Sequence, residues 1–210
     1  MDQLLFYLPL SGSAFKKSYY DPTMGRAVSR FIKSEDLVVP YYTTDLVSTP
    51  RITHVLHMTE NDLLKLKRSG FYRDTPTMSP GLTQESVVQE KIDELDGLSP
   101  SNSDREFTLL EVHVELDIAG FEDTDNIGEP TGIALPYIVT ICRDMREVLG
   151  IRRNYDEQDP LRKKIEYFTH FKFLPGLGFY GFGLIHMIGG VTKSATSILR
   201  QLIDAGTLAN

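Results

Sequence analysis

The stretch Phe171–Asn210 reads F-K-F-L-P-G-L-G-F-Y-G-F-G-L-I-H-M-I-G-G-V-T-K-S-A-T-S-I-L-R-Q-L-I-D-A-G-T-L-A-N, and the rest of the chain is interpreted outward from it. A strand-like lead meets Pro175 and is followed by an apolar segment dense in glycine: Gly176, Gly178, Gly181, Gly183, Gly189 and Gly190. The spacing then predicts an amphipathic helix from about Val191 to Ala205. Val191, Ala195, Ile198, Leu199, Leu202 and Ile203 share one face, and Thr192, Lys193, Thr196, Ser197, Arg200, Gln201 and Asp204 share the other. No second element follows for that helix to pack against, so the ending reads as cut. Gly176-x-Gly178-x-x-Gly181 also matches the dinucleotide fingerprint. That chemistry needs a strand, a helix opening at the glycines, a second parallel strand and an acid about 20 residues on. Asp204 lies inside the predicted helix, and Phe179-Tyr180 would crowd a pyrophosphate. The glycines are read instead as allowing close packing and a sharp turn.

Composition places limits on function. At 41% hydrophobic and 24% charged residues, the 210-residue chain is predicted to fold, as one or two domains with real cores. A formal net charge of -7 argues against a dedicated nucleic-acid grip, though not against a surface that DNA slides past. The single cysteine, Cys142, excludes an intrachain disulfide and fits a reducing compartment. No apolar run reaches the length of a membrane span, and Met1-Asp2-Gln3 lacks the basic start of a signal peptide.

Read in order, Leu4–Leu10 and Ala14–Tyr20 are predicted strands around Ser11-Gly12-Ser13. Asp21-Pro22-Thr23-Met24-Gly25 is a turn, and Arg26–Ile32 is the returning strand. Leu37–Val39 is a short strand ended by Pro40. Tyr19-Tyr20 and Tyr41-Tyr42 are either stacking platforms for bases or, with the greater weight, parts of a sheet face or subunit contact. Arg51–Met58 is a strand whose His54 and His57 point to opposite faces, which disfavours a metal. Thr59 caps a helix over Glu60–Ser69 that stops at Gly70, and its Lys65, Lys67 and Arg68 complement the helix dipole on a solvated face. Thr83–Asp96 is a second helix, followed by a polar run, Ser99–Asp104, expected to be mobile.

Glu106–Ile118 is predicted to be half exposed, with Val112, Val114, Leu116 and Ile118 inside and Glu111, His113, Glu115 and Asp117 in water. Asp123–Gly128 resembles the start of a calcium loop but has Ile127 at its fifth position and Ala134 at its twelfth. It reads as a hairpin loop. Tyr137–Arg143 and Arg146–Tyr155 are paired return strands, and Ile165–Leu174 is the final strand of the sheet. No catalytic motif stands out, and no catalytic, cofactor-binding or metal-binding residue is assigned. The expected fold is α+β: an antiparallel, meander-type sheet with two peripheral helices, leading into a C-terminal helix.

Several linked segments carry a resemblance. L-P-G-L-G-F-Y-G-F-G-L-I-H-M-I-G with T-S-I-L-R-Q-L-I-D-A-G-T-L, L-F-Y-L-P-L-S-G-S-A-F-K-K-S-Y-Y-D-P-T-M-G-R-A-V-S-R-F-I-K-S-E-D-L-V-V-P, and H-V-L-H-M-T-E-N-D-L-L-K-L-K-R-S-G-F-Y-R-D resemble, in the same order, the portal (head-to-tail connector) proteins of tailed bacteriophages. The resemblance implies that residues 1–174 form a wing-like α+β domain, with residues 75–104 a helix plus mobile insertion, and that 175–210 form the Gly-rich turn and the start of a stem helix. Members of that family are much longer. It also implies no enzymatic activity, no cofactor and no membrane. The implied role is that of a structural subunit of a dodecameric ring at one capsid vertex, the conduit for DNA packaging and ejection. Its partners would be identical subunits, capsid, terminase and tail adaptor proteins, with double-stranded DNA passing transiently. Its place would be the virion, and the host cytoplasm during assembly. Lys193 and Arg200 become candidates for DNA-channel contact or, in preference, for ion pairs between subunits. The alternatives are a nucleotide-binding enzyme domain using Gly176–Gly181 and another virion tail or adaptor subunit.

Overall fold

The computed structural model describes residues 2–21, 24–76, 106–124 and 127–208. The chain divides into two compact units, Met1–Thr49 with Glu166–Asn210, and Pro50–Ile165. This division does not coincide with a break at residue 174, which lies inside the first unit. The α+β class, the antiparallel sheets and the C-terminal helix are as expected.

In the first unit the chain opens with helix α1, Asp2–Ser11, where a strand over Leu4–Leu10 was expected. A short apolar run fits either structure, and here burial decides. Leu4 is buried, Tyr7, Leu8 and Ser11 are half-buried, and Leu5 and Phe6 face out, a helical spacing. Pro9 falls in the last turn, where it forfeits the hydrogen bond that an N–H there would make to the Leu5 carbonyl. Strand β1 (Ser13–Asp21) pairs antiparallel with β2 (Arg26–Ile32) from Phe15↔Ile32 to Asp21↔Arg26. Of the predicted turn between them, Asp21, Met24 and Gly25 are described. The Met24 N–H donates to Asp21 Oδ1, and Gly25 takes φ 62°. A two-residue strand β3, Leu37–Val38, follows a 3-10 turn at Ser34–Asp36.

In the second unit, β4 (Arg51–Thr59), β5 (Glu106–Leu116), β6 (Leu135–Cys142) and β7 (Glu147–Arg153) follow one another in space, all antiparallel. Helix α2, Glu60–Arg68, starts as the sequence predicts, with Thr59 Oγ1 accepting from the Asp62 N–H, and ends at Gly70 with φ 76°. Leu63, Tyr72, Phe107, Leu109, Cys142 and Leu149 form the core. Each apolar side chain buried there contributes about 1.5–3 kcal/mol. Lys67, expected in solvent, is instead 4% exposed, and its ammonium donates to Thr75 O (2.9 Å) and Oγ1 (3.2 Å). The predicted helix Thr83–Asp96 and the run Ser99–Asp104 lie outside the described residues.

One expectation is overturned by β8, Phe168–Lys172. It does not complete the sheet of β4–β7 but pairs antiparallel with β1, from Ser13↔Lys172 to Lys17↔Phe168, so the first unit's sheet runs β2-β1-β8. The alternation in Ile165–Leu174 named a strand but carried no information about its neighbour. The last described element is α3, Leu184–Leu208, which starts about two turns before the predicted helix. Gly189 and Gly190 sit inside it. Their helical cost is on the order of 1 kcal/mol each.

Candidate functional site

The glycine segment joins β8 to α3, and its geometry follows from close backbone approach. Gly12, at φ 86°, lies against residues 181–183, and a Cβ on Gly12 would sit 2.4 Å from the Gly183 nitrogen. Likewise a Cβ on Gly181 would sit 2.5 Å from the Gly12 carbonyl oxygen, and one on Gly183 would sit 2.4 Å from the Leu10 carbonyl oxygen. Only glycine permits this seam. Hydrogen bonds then lock it. Ser13 Oγ accepts from the Gly181 N–H at 2.8 Å, and Leu174 and Phe182 exchange backbone bonds. Beneath it, His170 stacks on Phe15 (4.4 Å) and packs against Phe179 (4.6 Å), with Nε2 3.2 Å from Ser13 Oγ. Burial, assisted by the Lys172 charge, lowers the His170 pKa to about 4, so the imidazole is neutral at pH 7.

This geometry bears directly on the dinucleotide match. A phosphate cradle needs outward amide donors at the loop and helix start. Here the Gly181 N–H is bonded to Ser13, the Phe182 N–H to Leu174 O and the Gly183 N–H to His186 Nδ1. The preceding strand is antiparallel to its neighbour β1. The glycines therefore serve packing and turning, as the composition of the segment suggests.

From this anchored start α3 carries two distinct surfaces. Val191, Ile198, Leu199, Leu202 and Ile203 form the predicted apolar stripe, and each is 57 to 71% exposed. Lone apolar residues on a surface are ordinary, but a continuous stripe on a helix is the mark of a contact face. On the flank, an open groove of about 810 Å³ is lined by Leu10, Leu184, Ile185 and Ile188 and rimmed by Lys193 and Arg200. The structure thus places both candidate cations side by side along one groove, on the polar face where the periodicity put them.

The second unit holds a polar row that the sequence placed on the wrong side of a strand. In β5, Glu111 and His113 are buried at 6% and 7% exposure, while Val112 and Val114 are half-exposed. His113 Nε2 and Glu111 Oε1 lie 2.8 Å apart. Across the ladder Glu111 faces His54 on β4 and Thr140 on β6, both buried. Burial and the Glu111 charge push the Tyr72 hydroxyl pKa up, and Thr140 bonds to that hydroxyl. Alternation fixes which residues share a face, not which face is covered. The charged row was assigned outward because buried carboxylates are rare, and its mutual hydrogen bonding is what makes the exception tolerable.

The remaining candidates are simpler. His54 is buried and His57 exposed, so they part as predicted. Among the described residues no three His, Cys, Asp or Glu side chains are grouped to hold a metal ion. In the loop that resembles a calcium site, the Asp123 carboxylate pairs with Arg162 and accepts from Thr131 Oγ1 at 2.7 Å, a staple across the loop. Burial raises the Cys142 pKa, leaving an unreactive thiol. Tyr41 and Tyr42 stand 93% and 91% exposed, edge to face at 5.2 Å. No described helix is long and apolar enough to cross a membrane.

The chain was also compared with known proteins: no family model matches it, and no curated protein does.

Proposed function

We propose that this chain is a structural subunit of a tailed-bacteriophage portal, with the strand-rich part as wing and α3 as the beginning of the ring wall. The observation that carries the reading is the long apolar stripe of α3, exposed to solvent and rigidly mounted on the glycine seam. A helix fixed at its root and apolar along its length suits side-by-side packing with neighbouring copies. Repeated head-to-tail contacts of that kind close into rings when the rotation allows. The order of the quoted segments, which is that of portal proteins, supports the same reading. Function would then be geometric: identical subunits, capsid, terminase and tail adaptor meet on the outside, and double-stranded DNA passes through. Lys193 and Arg200, which line the groove, would then serve ion pairs between subunits first and transient backbone contact second.

The natural full-length protein, measured by light scattering after size exclusion and imaged by electron microscopy, provides the test. Closed rings of roughly twelve copies are expected. A species no larger than a dimer at every concentration overturns the proposal. Rings that form only on addition of a separate portal would move the assignment to an adaptor subunit.

A further inference from the structure

The loop Pro40–Thr49 of the first unit holds two aromatic side chains out in water on a firmly built base. Tyr41 and Tyr42 are almost fully exposed, so their burial adds nothing to the fold that carries them. The backbone beneath them is nonetheless tied down. The Thr43 N–H donates to the Pro40 carbonyl at 3.0 Å, and the buried hydroxyls of Thr43 and Thr49 lie 3.0 Å apart across the base of the loop. Further along, the Asp45 carboxylate accepts from the Ser48 N–H at 2.7 Å and from the Ser48 hydroxyl at 2.9 Å. Two rings in edge-to-face contact on such a base give up little conformational freedom when a partner covers them. The loop's own charge disfavours nucleic acid as that partner. Pro40–Thr49 contains no Lys or Arg and one acid, Asp45, where a phosphate backbone needs cations.

A surface of matching chemistry lies elsewhere on the same unit. The groove between α1 and α3 has a floor of Leu10, Leu184, Ile185 and Ile188, with Lys193 and Arg200 along it. No acid is among its lining residues, and among the described residues neither cation enters a salt bridge. Tyrosine suits this combination, since its ring is apolar and its hydroxyl seeks a polar partner. Seated in the groove, the two rings would cover the Leu and Ile side chains. Asp45, three residues after Tyr42, would bring a carboxylate toward Lys193 and Arg200. Within one chain the two surfaces do not meet, because Tyr41 and Tyr42 stand bare.

We propose that the Tyr41–Tyr42 loop of one copy docks into the α1–α3 groove of the next copy of this chain. Each copy then offers one loop and one groove, two different patches, so the contact is head-to-tail and can repeat from subunit to subunit. Rigid aromatic anchors seated in an apolar pocket are the usual carriers of affinity in such contacts. The inference rests on the reading of the chain as a ring subunit. It deepens that reading by naming the acid, Asp45 of the neighbouring copy, that Lys193 and Arg200 meet across the contact.

Crosslinking between copies of the natural full-length protein tests it. Thr44 is exposed beside the tyrosines, Thr192 is exposed along the groove, and the one cysteine of these 210 residues, Cys142, is buried. Thr44→Cys and Thr192→Cys are made as separate variants, co-expressed, and treated with a short bismaleimide. The pair should give crosslinked dimers on a denaturing gel about tenfold faster than Thr44→Cys co-expressed with Met24→Cys, an exposed site on the β1–β2 turn. Either variant alone should give no more dimer than the wild-type protein, because a head-to-tail contact never brings like sites together. Adding Tyr41→Ala/Tyr42→Ala to Thr44→Cys should remove the advantage without lowering the melting temperature. The contact is overturned if the pair links no faster than the Met24→Cys control, if Thr44→Cys links as readily to itself, or if the alanine variant links as fast. Rings seen by electron microscopy without this crosslink remove the loop–groove contact and leave the ring reading standing. The crosslink without rings does the reverse.

Discussion

His170 offers the sharpest test of the packing beneath the glycine seam. Its imidazole is stacked on Phe15 and packed against Phe179, and its pKa falls from 6.5 to about 4. The folded unit therefore disfavours the protonated ring, while the unfolded chain accepts a proton near pH 6.5. The unfolded state binds more protons throughout this window. Stability is accordingly complete above pH 6.5 and is lost as the pH falls toward 4, with no further loss from this group below that. Between pH 7.5 and 4.5 the two titrations differ by about 2.5 kcal/mol, and partial solvent contact of the ring reduces the expectation to about 2 kcal/mol. His170→Phe keeps an aromatic ring in the stack and removes the titration. Native-state hydrogen exchange of the β1 amides reads the stability of this unit alone. The wild-type chain should lose about 2 kcal/mol more than His170→Phe over that pH interval. If the two proteins lose stability in parallel, the imidazole is not held neutral by its surroundings and the account of this stack is wrong.

Other consequences can be checked as directly. Gly181→Ala forces a Cβ within 2.5 Å of the Gly12 carbonyl oxygen and should cost roughly 3 kcal/mol or more in a denaturation midpoint. Gly25→Ala, at φ 62° with open space around it, should cost only about 1–2 kcal/mol. A double substitution Leu199→Glu/Leu202→Glu should abolish concentration-dependent association in light scattering without lowering the melting temperature, because both side chains are 60% exposed or more. A lower melting temperature would mean that the stripe is covered within the chain. Lys67→Met retains the aliphatic stem and removes the ammonium donor to Thr75, for an expected loss of about 1.5–3 kcal/mol in urea titration. A neutral or stabilising result would show that the ammonium adds nothing to the fold.

Local chemistry made several elements legible in the sequence, and long-range placement defeated it elsewhere. Thr59, Gly70 and the Asp21–Gly25 turn announce themselves, since caps and positive-φ glycines act within a few residues. The apolar stripe of α3 and the polar positions of Lys193 and Arg200 follow from the 3.6-residue period alone. By contrast, the partner of β8 could not be read, because alternation says nothing of which distant strand lies alongside. The inward turn of Glu111 and His113 was hidden for a related reason. Their burial depends on His54, Thr140 and Tyr72, which arrive from other parts of the chain. Lys67 misled through its position in a last turn rich in cations, where a solvated ammonium is the rule. At α1, an apolar run with a proline near its end fitted strand and helix equally until Leu4 found its burial.

The seam at Gly12 also sets the order in which the molecule can form during synthesis. The β1–β2 hairpin and the helix before it leave the ribosome early, yet the neighbours they need, β8 and residues 181–183, are encoded more than 150 residues later. At 5–20 residues per second that is a wait on the order of 10–30 s. In the interval the segment from Pro50 to Ile165 can complete its own sheet, since β4 through β7 pair only with near neighbours in sequence. The first unit therefore closes last, by docking its final strand onto a hairpin that has stood with one edge open. During that window the open side of β1 can pair with any passing strand, so a slowed supply of residues 166–183 should show first as aggregation of nascent chains, not as loss of the segment already folded.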